Sequence, residues 1–173
     1  MATAAFVHRS ALGRVLDALA RLFAFAGGLV FTGLTLVSLY SIVMRNLAGR
    51  PIQGDFELVQ MGCAISIAAC LPLCQMRSGH IIVDFFSQRA RESTRRRMDG
   101  IGALLLAVAM ALFAWRTAIG ALDARASRET SMIMELPTWA GYALMVPSFA
   151  LAAVIALYVA SLHFRLAPVP PSI

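Results

Sequence analysis

LFAFAGGLVFTGLTLVSLYSIVM, residues 22–44, carries no Asp, Glu, Lys, Arg or His, and it decides the fold class of this chain. As a helix it reaches about 35 Å at 1.5 Å per residue, enough to cross a hydrocarbon layer of about 30 Å. Arg21 stands before it and Arg45 closes it. Arg9, Arg14 and Arg21 followed by apolar sequence have the look of a secretory signal. The apolar stretch is longer than the usual signal core of about 7–15 residues, so it reads as an uncleaved first span.

Three further stretches follow the same logic. The second runs over 58–76, between Glu57 and Arg77, and the fourth over 138–164, with Pro137 placed for its first turn. The third begins near Ile101, and its uncharged part ends at Trp115. That is short for a span, and Arg116 extends it if its aliphatic stem lies along the helix with the charge at the interface. The third span is therefore expected over 99–120. Hydrophobic residues make up 60% of the chain and charged residues 14%, well below the roughly 25% of soluble domains. The expectation is an all-α membrane protein, a single transmembrane domain over 1–173 with four helices and a flexible tail over 165–173.

The net charge of +6 comes from 15 basic residues, all arginine, set mostly in short segments beside apolar runs. Such placement suits orientation in a bilayer and contact with anionic lipid, not nucleic-acid binding. With the N-terminus inside, ten arginines fall on the inner side and five, Arg116 among them, on the outer. The positive-inside rule then places both termini in the cytoplasm. Tyr40, Trp115, Trp139 and Tyr142 are expected as a belt at the outer interface. Between spans two and three, Ile82, Phe85 and Phe86 precede an arginine-rich run to Arg97. This pattern predicts an amphipathic helix lying in the membrane plane, with Phe85, Phe86, Arg95, Arg96 and Arg97 against anionic phospholipid. A solvated basic loop is the other reading.

Catalytic chemistry finds little support. No GxSxG, HExxH or phosphate-cradling loop is present. His8, His80 and His163 lie at or beyond span ends, too far out to hold a haem between helices. Cys63, Cys70 and Cys74 share one apolar run and read as packing residues. No cofactor, metal or enzymatic activity is expected. No Asp, Glu, Lys or His lies near a span centre, which argues against this chain moving an ion or an acid alone.

Small residues recur at helical spacing. Gly62, Ser66, Cys70 and Cys74 share a face of the second span, Ala103, Ala107 and Ala111 of the third, and Ser148, Ala152, Ala156 and Ala160 of the fourth. Gly28, Thr32 and Thr35 form a shorter ladder on the first. Ladders of this kind let backbones approach closely. They serve packing within the chain or against a larger subunit, with Gly62, Ser66, Cys70, Ser148, Ala152 and Ala156 as candidate faces for the latter. Pro72 and Pro147 are expected to kink their helices. In the outer loop, Asp55 and Glu57 suit the positive end of the second helix. Together with Arg45, Arg50 and Trp139, they are also a candidate periplasmic docking surface.

These pieces resemble the small membrane subunit of TRAP transporters, the tripartite ATP-independent periplasmic carriers (DctQ-like). The resemblance rests on Arg45 closing the first span, Arg50-Pro51-Ile52 ahead of an acid pair, Gly79-His80-Ile-Ile-Val-Asp84 after the second span, and Leu136-Pro137-Thr138-Trp139 before the fourth. It covers nearly the whole chain through the order of short motifs. One departure is Gly54, where the family commonly carries an aromatic residue before the acid pair; Phe56 is the nearby substitute. The resemblance implies a scaffold for a large polytopic permease subunit in the bacterial inner membrane, served by a soluble periplasmic binding protein that delivers an organic acid with sodium coupling. The competing readings are a structural membrane subunit of another complex and a stand-alone four-span carrier of the small multidrug type. Such a carrier needs an intramembrane carboxylate, and the first span offers none.

Overall fold

The computed structural model describes residues 11–49, 52–77 and 92–165, without the side chains of 48, 92–97, 99 and 163–165. It contains four helices: α1 (Ala11–Ala48), α2 (Asp55–Met76), α3 (Glu92–Ala126) and α4 (Thr138–Arg165). All four are long and apolar enough to cross a membrane. The start of α1, the end of α2, the start of α3 and the end of α4 lie at one end of the bundle, here called the terminal end. The α1–α2 and α3–α4 loops lie at the other, the loop end.

Helices α3 and α4 form one antiparallel hairpin and α1 and α2 another; the hairpins join through α2 against α4. Across the molecule the order is therefore α1, α2, α4, α3, with α2 and α4 inside and α1 and α3 flanking. α1 meets α4 only slightly. At the terminal end Leu16 and Ala20 of α1 enter one cluster with Met76, Ala103, Ile155, Val159 and Ala160. All four helices converge there.

Close approach is set by small residues. A Cβ on Gly27 would lie 2.9 Å from the Ala69 Cβ and 3.0 Å from the Ser66 carbonyl, so α1 and α2 meet backbone to backbone. A Cβ on Gly62 would strike the Leu34 side chain at 2.5 Å, and one on Gly141 would strike Met61 at 2.9 Å. Ser66 bonds back to the Gly62 carbonyl at 2.8 Å, leaving no unmet hydroxyl in the seam. Pro72 is fully buried within α2, whereas Pro147 of α4 is exposed.

The small-residue ladders are thus used within the chain. Gly62, Ser66, Ser148, Ala152 and Ala156 are buried between its own helices and Cys70 is half-buried. Cys74 of α2 and Ala111 of α3 are exposed, and the α1 ladder of Gly28, Thr32 and Thr35 faces outward as well. Its two hydroxyls donate to the carbonyls of Gly28 and Phe31 at 2.8 and 2.9 Å.

The third helix differs from the sequence expectation. It does not stop near residue 120; it runs unbroken from Glu92 to Ala126. A single charge interrupts hydropathy but not helix geometry, and Thr117–Ala126 is rich in good helix formers. Arg95, Arg96 and Arg97 fall in the first turns of this helix, continuous with the span. The rest of the expected in-plane helix, Phe85 and Phe86 included, lies outside the described residues.

Candidate functional site

The loop end is organised by two carboxylates at the start of α2. Gly54 caps this helix in a left-handed conformation (φ 81°), and the Met134 side chain fills the space where a Cβ would stand. Glycine is the residue that adopts this backbone without strain, which accounts for its presence where an aromatic was expected. Neither carboxylate caps its own helix, although both sit in its first turn. Asp55 accepts a 2.6 Å hydrogen bond from the buried Ser41 hydroxyl and so ties α2 to α1. Glu57 reaches across to the α3–α4 loop. It accepts from the Ser131 hydroxyl at 2.5 Å and from the backbone amides of Ile133 and Met134 at 3.1 Å each.

That loop is a compact clip. Thr130 and Pro137 pair as an isolated antiparallel bridge, and Ser131 N–H donates to the Leu136 carbonyl at 2.9 Å. Thr138 donates through both its amide and its hydroxyl to the Glu129 carbonyl. Arg128 and Glu135 take left-handed backbone conformations at its corners. The clip presents Met132, 98% exposed, at its tip. Between it, α2 and α4 lies an open cavity of about 350 Å³ lined by Glu57, Gln60, Met61, Ser131, Tyr142 and Met145, among others.

The candidate docking residues divide accordingly. Asp55 and Glu57 serve bonds inside the chain. Arg45 is exposed at the end of α1, and Arg50 lies outside the described residues. Trp139 is 37% exposed, with the Arg125 guanidinium 5.4 Å from its ring centroid. The partners of the two acids, Ser41 and Ser131, were missed because a serine hydroxyl carries no spacing signal.

Of the four aromatic residues expected to form a belt, three lie toward the loop end. Trp139 and Tyr142 lie at the start of α4, and Tyr40 lies near the loop end of α1. Trp115 does not join them, because α3 continues eleven residues beyond it, about 16 Å of helix.

Arg116 moves with it, away from the loop end and toward the middle of the bundle. Phe113 packs on Phe149 at 6.0 Å between ring centroids, which sets Arg116 level with about Val146. The Gly141–Met61 contact sets Val146 level with Ser66, halfway along the 22-residue α2. Arg116 is exposed and, among the described residues, makes no ion pair. An arginine at the centre of a spanning helix costs about 2.5–3.5 kcal/mol on insertion scales. The sequence reading sought intramembrane Asp, Glu, Lys and His; the signal it lacked was the continuation of α3.

Among known proteins, the family model described as "Tripartite ATP-independent periplasmic transporters, DctQ component" matches residues 34–166. No curated protein and no solved structure matches the chain. The match runs from the middle of α1 through the end of α4 and takes in the clip, both carboxylates and Arg116. The chain belongs to the DctQ family, the small membrane component of tripartite ATP-independent periplasmic transporters.

Proposed function

We propose that this chain is the scaffold subunit of a sodium-coupled importer of an organic acid, holding and anchoring the large permease subunit in the bacterial inner membrane. The family match across the four-helix unit carries this reading. The packing supports it: the helices use their small residues on each other, and α1 and α3 keep wide apolar outer faces. A scaffold of this kind enlarges the static part of the carrier, against which a moving domain slides. Both termini are cytoplasmic in this reading. With Arg116 counted inside a span, arginines divide ten to four in favour of the terminal end.

The loop end then faces the periplasm, and Arg45, Arg50 and Trp139 form the surface toward the binding protein, with Asp55 and Glu57 holding it in shape. Phe85, Phe86, Arg95, Arg96 and Arg97 lie on the cytoplasmic side, where they contact anionic phospholipid.

The test is a pull-down from native membranes in mild detergent, with the tag at the C-terminus. Recovery of one much larger polytopic protein in equal amount is expected, together with loss of organic-acid uptake when this chain is deleted. Recovery of this chain alone, or as a homodimer, overturns the proposal.

A further inference from the structure

Arg116 sits on a face that nothing among the described residues covers. It is nine residues from the buried Ala107, which turns it about 180° around the helix from the α4 contact. Ile101, Leu105, Val108 and Leu112 lie on the same outer side and are all exposed. The nearest carboxylate along that side, Asp123, is two turns away, about 10 Å along the axis. Either end of α2 is about 15 Å from the depth of Arg116, farther than an arginine side chain reaches. Even with snorkelling and local thinning of the bilayer, a charge at this depth is costly to leave against lipid.

The outer face of α1 poses no such problem. Phe25, Leu29 and Leu36 are exposed there without a charge, and acyl chains cover them adequately. The two flanking helices thus differ in what they need. One can face lipid; the other calls for a negatively charged neighbour inside the membrane.

We propose that the outward face of α3, centred on Arg116, is the surface on which the large permease subunit docks, and that Arg116 pairs there with a membrane-buried carboxylate of that subunit. The proposal rests on the scaffold reading above and adds the face and the chemistry of contact. The planar guanidinium favours a two-pronged bond to a carboxylate, which fixes the depth of one subunit against the other as well as their contact.

The experiment uses the intact two-subunit complex in membranes. A photo-crosslinking residue is placed at Leu112 on α3 or at Phe25 on α1, with Arg116 kept. Crosslinks to the large subunit are expected from Leu112 and not from Phe25. In parallel, Arg116→Glu should lower co-purified large subunit at least tenfold, with Arg116→Lys retaining more, and an acid-to-arginine change in the large subunit should restore recovery with Arg116→Glu. If Arg116→Glu fails to reach the membrane, the crosslinks decide, because they are read in chains that retain Arg116. Crosslinks from Phe25 only, crosslinks to lipid or to a second copy of this chain, or undiminished recovery of an inserted Arg116→Glu chain overturn the proposal. If the unaltered chain recovers no large subunit, the scaffold reading itself has failed, and this proposal with it.

Discussion

Glu57 shows how far a residue's role depends on what lies opposite it. From sequence it is an acid in the first turn of a helix, where the dipole alone would account for it. In the fold its carboxylate gathers one hydroxyl and two amides from a loop more than seventy residues away. Glu57→Gln keeps the shape but replaces a charged acceptor with a neutral one, and charge-assisted bonds are roughly twice as strong. The expected result is faster hydrogen exchange at the Ile133 and Met134 amides, with exchange in the middle of α2 unchanged. Equal protection of those amides in the variant would mean that the clip holds without its anchor. Gly54 belongs to the same local design, since its left-handed turn aims the start of α2 beneath Met134.

At the scale of elements, α1 carries a built-in control. Gly27 and Gly28 are adjacent, yet a Cβ on Gly27 meets Ala69 and the Ser66 backbone, while one on Gly28 meets nothing within 4 Å. Gly27→Val should therefore lower the stability of the solubilised protein by about 1–3 kcal/mol, the usual cost of overpacking, since a backbone oxygen cannot move aside as a side-chain tip can. Gly28→Val should be close to neutral. Thermal unfolding in a single detergent reads both. Equal effects would show that α1 does not sit in the α2 groove through Gly27. The same asymmetry explains the ladders: period-four small residues mark a helix for close packing without saying which neighbour is meant.

On the scale of the whole molecule, the order α1, α2, α4, α3 is the main consequence of packing. It leaves the two central helices more enclosed and the flanking pair more open. In a cysteine-free background, Met61→Cys with Gly141→Cys should form a disulfide readily across α2 and α4. Phe25→Cys with Leu112→Cys, at a similar depth on the two outer helices, should form none within one chain. A disulfide between the second pair would close the row into a ring and overturn the order.

Four helices long and apolar enough to cross a membrane, and the family, were legible in the sequence, because hydropathy is summed over about 20 residues and tolerates local error. The small-residue stripes were legible as packing surfaces for the same reason: they are periodic along one helix. Which helix each stripe meets, what Asp55 and Glu57 hold, and where Arg116 stands were not. These depend on contacts between residues far apart in the chain, and no pattern within one segment encodes them. The third span makes the point most clearly. Sequence alone put Arg116 near a water interface, since that is where a charge is cheapest. Only the register of α3 against α4, set by Phe113 on Phe149 and Arg125 over Trp139, decided that it lies halfway down, because depth belongs to packed helices and not to a single sequence.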